Sequence, residues 1–415
     1  MNINELLQGV DCACGKHHSC DIEAVYIEKN AIRWLTDLCA GYKNILIVAD
    51  ENTYAAAGAQ TVAALEGKQL HQVIFGKEIL VPDEQAVAKV QQALGNAQLI
   101  VGIGSGVMQD LCKFVSHTSH IPYMVVATAP SMDGYASNGA AMIAGGMKVT
   151  YSAGLPRALV ADTEILKNAP MEMLQAGYGD IIGKFSALND WKLSQAVTGE
   201  YFCQYIYDLT YAQIQKTLDL AEGILKRNEE SVKALMEALV IIGILMSFAG
   251  SSRPASGSEH HLSHFFEITG IVEGTPYFPH GIDVAYSTVI IAGLREKLLE
   301  KPFPKTQYCP DPEVYKGKMT EIYGPVAPGC MALQEKTGYY TRDFAYSEKE
   351  AQIRTILLEM PTAKEVEAML RLGGLEMDKF YSFYPAEKIE NAKLYAKDLK
   401  DRYSVLWLWY AFREC

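Results

Sequence analysis

Five short, mostly apolar runs punctuate the first 165 residues: Asn44 to Ala49 (NILIVA), Leu70 to Phe75 (LHQVIF), Leu99 to Ile103 (LIVGI), Tyr123 to Ala127 (YMVVA) and Ala158 to Ala161 (ALVA). Runs this short, with little polar alternation, read as strands covered on both faces. Helical patterns such as Asp83 to Leu94 and Val107 to Ser116 fall between them. Strands separated by helices join as parallel crossovers, so the pattern predicts a parallel α/β sheet of the nucleotide-binding type.

From about Ile165 the pattern changes. Met171 to Ala196, Tyr201 to Lys226, Glu230 to Phe248, Lys349 to Leu358 and Ala363 to Leu372 read as helices, and no convincing strand separates them. The expected architecture is an α/β Rossmann-like N-terminal domain over residues 1–165 and an all-α C-terminal domain over 166–415. That suits a 415-residue chain, since domains commonly run to roughly 100–200 residues. Lys301 to Gly338, rich in Pro, Gly and Tyr, reads as an irregular excursion. Ala238 to Gly250 (ALVIIGILMSFAG) is the most apolar run. It falls short of the ~20 residues a membrane span needs and reads as a buried helix.

A formal charge of −12 argues against nucleic acid and anionic membrane surfaces, which are met by basic patches. A small phosphorylated metabolite needs only a local cationic pocket, so it stays open. MNINELLQGVDCACGKHH has no basic region followed by an apolar stretch, so no secretory signal is expected. Nine cysteines scattered from Cys12 to Cys415 suggest reduced thiols and a cytoplasmic protein.

Two loops follow consecutive strands. In AQLIVGIGSGVMQDLCKFV the third apolar run enters Gly102, Gly104 and Gly106 before a helix beginning near Val107. Glycines there let a backbone approach a ligand, and the helix start favours a pyrophosphate. A plain tight connection uses the same residues. After the next run, ATAPSMDGYASNGA crowds Thr128, Ser131, Asp133 and Ser137 into one loop. Ligands of open α/β sheets bind beyond the carboxyl ends of strands, where both loops fall.

The helical half holds a histidine cluster. ASGSEHHLSHFFE sets His260 and His264 one helical turn apart on one face, with His261 pointing elsewhere, and PHGID brings His280 close behind. Catalytic metal sites commonly use three protein ligands and keep one position open. A third ligand would be a carboxylate or another histidine. Asp180, in AGYGDIIGKFSALNDW, is the best candidate because its helix reads as buried; a surface or capping role remains open. The N-terminal DCACGKHHSC also gathers Cys12, Cys14, His17, His18 and Cys20, without the spacing of a regular zinc knuckle. A terminal segment with incidental thiols is the better reading of it.

GIGSG, TAPSMDGYAS, GDIIGKFSALNDW, RPASGSEHHLSH and FPHGI occur in this order. Together they resemble the glycerol-1-phosphate dehydrogenase family, within the glycerol dehydrogenase and dehydroquinate synthase-like superfamily. The resemblance runs from about Ile22 to the C-terminal helices. It implies a dehydroquinate synthase-like fold with a nicotinamide, NAD or NADP, and one divalent metal between the domains. Asp180, His260 and His280 would be the metal ligands. His264 would line the substrate site and Asp133 would contact substrate. Gly104, Ser105, Gly106, Val107 and Met108 would hold the cofactor phosphates, helped by Thr128, Ser131 and Ser137, with Asp50 at the adenosine ribose.

Iron-type alcohol dehydrogenases of this superfamily carry a histidine ligand four residues after the aspartate, where this chain has Lys184. That favours three ligands and an open position. Lys184 and Arg253 suit a phosphate dianion, although surface charge explains either as well. The expected activity is reversible reduction of dihydroxyacetone phosphate to sn-glycerol 1-phosphate, with zinc the first choice of metal and nickel or iron also fitting. A homodimer is the default assembly. The alternatives are a polyol dehydrogenase acting on an unphosphorylated substrate, a dehydroquinate synthase-like lyase and a silent nucleotide-binding protein.

Overall fold

The computed structural model describes residues 3–78, 80–145, 147–303 and 308–412. They form two compact units, one of Met1–Tyr178 with Gln215–Ser251, the other of Gly179–Ile214 with Ser252–Cys415.

The first unit opens with a small antiparallel hairpin, β1 (Val10–Asp11) and β2 (His17–His18). The strands β3 (Ala24–Glu28), β4 (Asn44–Asp50), β5 (Gln69–Phe75), β6 (Leu99–Gly104) and β7 (Tyr123–Ala127) follow. A second hairpin, β8 (Gly139–Ala144) and β9 (Met147–Ser152), precedes β10 (Ala158–Asp162). Six of these strands make one parallel sheet in the order β3-β10-β7-β6-β4-β5. The five apolar runs are its strands β4, β5, β6, β7 and β10. Ile45, Ile47, Leu99, Val101, Met124, Val126 and Val160 pack in one core on one face. Leu46, Val48, Ile100, Val125 and Leu159 are equally buried on the other face, which is why the sequence shows no polar alternation there.

β3 escapes the sequence pattern because AVYIE is an edge strand whose burial alternates along its length. The β8–β9 hairpin escapes because GAAMIA begins with small residues of low strand propensity. The chain crosses from β4 to β5 on one side and returns through β6 to β7 on the other. The topological switch therefore lies between β4 and β6, with Asp50 and Gly104 at their carboxyl ends.

The apolar run at Ala238 is only the second half of a longer helix, Glu229–Ala249. With a mean hydropathy of 2.0 it is long and apolar enough to cross a membrane, yet 83% of that stretch is buried inside the protein. Asn228 caps its start, its side chain accepting the N–H groups of Glu230 and Ser231.

In the second unit helices alone occur among the described residues. Lys301 to Gly338 departs from the expected irregular excursion: it contains the helices Pro312–Tyr323 and Ala327–Thr337. Residues 304–307 lie outside the described residues; of the prolines and glycines that suggested irregularity, Pro312 and Gly338 sit at helix ends. Asp311 caps Pro312 at the first helical position, and Gly338 closes the second helix at φ +66°.

Candidate active site

The segment GYGDIIGK lies within the helix Met171–Thr198. Its glycines are places of close approach. A Cβ on Gly179 would stand 2.5 Å from the Gly281 carbonyl oxygen, and one on Gly183 2.5 Å from Val284 Cγ1. The helices Met171–Thr198 and His280–Leu299 therefore meet with little side chain between them, which carries Asp180 to His280. One ligand atom from each of Asp180, His260 and His280 lies within 4.8 Å of the others.

Each donor is held by a neighbour. His260 Nδ1–H donates to Glu259 Oε1 at 2.7 Å, which turns Nε2 toward Asp180 Oδ1, 3.4 Å away. The Ser263 hydroxyl lies 3.3 Å from His280 Nδ1 and donates to the His280 carbonyl oxygen at 3.3 Å. A carboxylate or hydroxyl on the outer nitrogen is what fixes a metal-ligating imidazole. Glu259 and Ser263 escaped the motif reading. The signal was present for Glu259, which directly precedes His260 in SEHH.

The pocket is built for positive charge. Asp180 is fully buried, and the Lys184 ammonium lies 2.6 Å from its Oδ1. Burial alone would raise the Asp180 carboxyl. The Lys184 charge, the hydrogen bond with His260 and the nearby His280 overcome it and hold that carboxyl well below the usual range. Burial and Lys184 likewise work against a proton on His260, but Asp180 and Glu259 lift its proton affinity above the ordinary histidine value. A metal cation would compete with that proton for the His260 lone pair, so binding there would release it. Two imidazoles and a carboxylate fit zinc, nickel or ferrous iron.

His264 is half-buried beside this set, its ring 5.3 Å from that of His280 and 6.2 Å from that of His260. His261 is turned away and fully buried; burial, then Arg402 and Lys400, push its imidazole well below the ordinary value. Arg253 does not serve as the expected phosphate fork. Its Nε donates to Glu200 Oε1 at 2.6 Å, one terminal nitrogen donates to Glu200 Oε2, and the other donates to the Tyr403 carbonyl oxygen at 2.7 Å. It is 3% exposed and ties chain segments together.

The histidine helix, Ser258–Glu273, is anchored at its start. Asp190 Oδ2 accepts the Ser258 N–H at 2.6 Å, and Oδ1 accepts the Val405 N–H at 2.9 Å. Arg295 donates to the same Oδ1 at 2.8 Å. Both side chains are buried.

In the first unit, Gly104 closes β6 at φ +157° and would set a Cβ 2.6 Å from Met108. Ser105 precedes the helix Gly106–Ser119, whose first turn contains Val107 and Met108. Asp50 Oδ1 accepts the Thr53 N–H at 2.8 Å, capping the helix after β4. Thr128 N–H donates to the Gly104 carbonyl oxygen at 3.3 Å, joining the two loops. Asp133 precedes a single helical turn, Gly134–Ala136, and Ser131 and Ser137 are buried beside it. Lys113, unremarked in the sequence, is fully buried beneath this loop. Its ammonium donates to the carbonyl oxygens of Gly134 and Gly139 at 2.9 and 2.8 Å. Gly177 completes the support, for a Cβ there would come within 1.9 Å of the Pro130 carbonyl oxygen.

Residues 26–170 match the family model described as iron-containing alcohol dehydrogenase. A Halalkalibacterium halodurans protein named glycerol-1-phosphate dehydrogenase (NAD(P)+) is 34% identical over 297 residues, 68% of this chain and 73% of that one. The chain belongs to the glycerol-1-phosphate dehydrogenase family. A Bacillus licheniformis protein of the same name is 30% identical over 407 residues, 95% of this chain and 90% of its own. Among solved structures, an iron-containing alcohol dehydrogenase from Thermococcus thioreducens superposes with a TM-score of 0.60 at 13% identity, covering 95% of this chain and 100% of that one. A probable glycerol dehydrogenase from Sinorhizobium meliloti 1021 gives 0.53 at 16% identity, covering 85% and 97%. These two likenesses show that the chain has the dehydroquinate synthase-like fold.

Proposed function

We propose that this chain, an NAD(P)-dependent oxidoreductase, reversibly reduces dihydroxyacetone phosphate to sn-glycerol 1-phosphate in the cytoplasm as a homodimer. The observation that carries this reading is the convergence of Asp180, His260 and His280 in a member of that family. These three would hold one divalent cation, zinc first. Such a cation, when bound, supplies Lewis-acid polarisation of the substrate carbonyl. The nicotinamide supplies the hydride.

The chain's own groups do the positioning. Glu259 and Ser263 keep His260 and His280 aimed. His264 stands beside them with its ring partly exposed, suited to pass a proton to the substrate oxygen. Asp133 would accept a bond from a substrate hydroxyl. The turn Gly104 to Met108 would seat the cofactor phosphates on the start of the helix Gly106–Ser119. Thr128, Ser131 and Ser137 would help to hold the cofactor, and Asp50 would meet the ribose. The unit of Met1–Tyr178 with Gln215–Ser251 would then be the nucleotide-binding part, and that of Gly179–Ile214 with Ser252–Cys415 the metal- and substrate-binding part.

NADH and NADPH oxidation with dihydroxyacetone phosphate, beside dihydroxyacetone, tests this directly. Turnover that prefers the phosphate ester and collapses with a chelator is expected. Turnover of dihydroxyacetone alone would make the protein a polyol dehydrogenase, and silence with both would end the reading.

Lys184 is the proposed phosphate partner, already paired with Asp180. Lys184→Ala is expected to raise KM for the phosphorylated ketone by about tenfold or more, the scale of one charge-assisted bond. KM for dihydroxyacetone should move far less. Equal shifts on both substrates would leave Lys184 only its pairing with Asp180.

A further inference from the structure

The N-terminal segment DCACGKHHSC plays no part in the site above, yet it is built around a tight turn. β1 and β2 pair with Val10 opposite His18 and Asp11 opposite His17, so Cys12 to Lys16 form the tip of a hairpin. Cys12 N–H donates to the Lys16 carbonyl oxygen at 3.0 Å, and Gly15 N–H donates to the Cys12 carbonyl oxygen at 2.9 Å. Gly15 sits at φ +85°, a conformation that glycine adopts without steric cost. That reversal folds the tip back on itself. The sulfur atoms of Cys12 and Cys14 and a ring nitrogen of His18 all come within 4.8 Å of one another.

The histidine is the rigid member. His18 is 1% exposed and stacks on Phe248 with ring centroids 5.4 Å apart and planes 12° from parallel. Its Nδ1–H donates to the Phe248 carbonyl oxygen at 2.9 Å, in the last turn of the helix Glu229–Ala249. That bond fixes the tautomer and leaves the Nε2 lone pair directed at Cys14 Sγ, 3.4 Å away. An outer nitrogen bonded to a carbonyl oxygen is the usual support of a metal-ligating imidazole. The Cys12 sulfur accepts the Cys14 N–H at 3.5 Å, a contact that stabilises a thiolate. The neighbouring residues are excluded by their surroundings. His17 is exposed and bonded to Asp11 at 2.8 Å, and burial pushes the Cys20 thiol up to about 11, keeping it protonated.

We propose that Cys12, Cys14 and His18 bind a structural zinc ion, distinct from the cation of Asp180, His260 and His280. Two thiolates and an imidazole are a soft donor set that selects zinc over magnesium or calcium, with water or a further thiol completing a tetrahedron. The ion pins the hairpin to the carboxyl end of the helix Glu229–Ala249 through His18.

Metal content per chain and cobalt substitution test this on the intact protein. Protein prepared under reducing conditions with zinc supplied is expected to carry two ions per chain. The variant H260A/H280A is expected to keep one, and C12S/C14S also one. Cobalt-loaded wild type and H260A/H280A should both show thiolate-to-cobalt charge-transfer absorption, which the thiol-free Asp180 set cannot produce. C12S/C14S should lack it. If C12S/C14S does not fold, the cobalt spectra of the other two proteins decide. A single ion per wild-type chain, with no sulfur charge-transfer band, would overturn the site.

Discussion

His260→Ala and His280→Ala are each expected to remove turnover and bound metal together. The cation's Lewis-acid contribution is worth several kcal/mol. Each ~1.4 kcal/mol is about tenfold in rate, so the loss is on the order of a thousandfold or more. The fold survives, because Asp180 keeps its 2.6 Å bond to Lys184 and the histidine helix keeps its anchor at Asp190. Metal analysis and initial rates on the same preparations check this, with circular dichroism as the control. Glu259→Gln provides a graded comparison, since it weakens only the aim of His260; losses of about 10–100-fold in metal affinity are typical of such partners. A metal-free variant with undiminished activity would remove the metal from the mechanism.

The second large effect is on stability. Burial pushes the Asp190 carboxyl up and the Arg295 guanidinium down, so each charge is tolerated only because the other faces it. Asp190→Ala would leave Arg295 buried without its carboxylate and strip the acceptor from the N–H groups of Ser258 and Val405. Breaking a buried pair from one side costs about 3–5 kcal/mol. That is a large share of the ~5–15 kcal/mol that holds an ordinary protein folded. The urea midpoint should fall sharply, and metal affinity should fall with it because the histidine helix starts at this anchor. Asp190→Leu with Arg295→Met removes both charges and should recover part of the loss. Fully additive losses would show that the pairing of the two charges is not what matters.

Much of this molecule could be read from the chain alone, and the reasons are local. Strands such as NILIVA and YMVVA declare themselves because both their faces are buried, which leaves an unbroken apolar run. AVYIE does not, since an edge strand half in solvent looks like any mixed segment. The helix Pro312–Tyr323 stayed hidden because its cap and proline read as loop signals when its packing partners are unknown. In the site, His260 and His264 were legible through helical periodicity. Their relation to Asp180 was not, because it depends on Gly179 and Gly183 meeting a helix a hundred residues away. Lys113 and Arg295 carry ordinary surface letters, and only burial shows what they do. Arg253 went astray for the same reason: its partner Glu200 lies far along the sequence.

Gly179 and Gly183 also set a gauge. Gly179 meets the Gly281 backbone and Gly183 the Val284 side chain, so neither position leaves room for a larger residue between the helices. The close approach of the helices therefore sets the spacing between Asp180 and His280, and a cation held there would have to conform to it. An ion of calcium's kind, which wants six to eight oxygen ligands at longer distances, has no way to stretch this cage. Zinc, nickel and ferrous iron would all suit its donors, so selection among them would pass from the protein to whichever ion the cell keeps in supply.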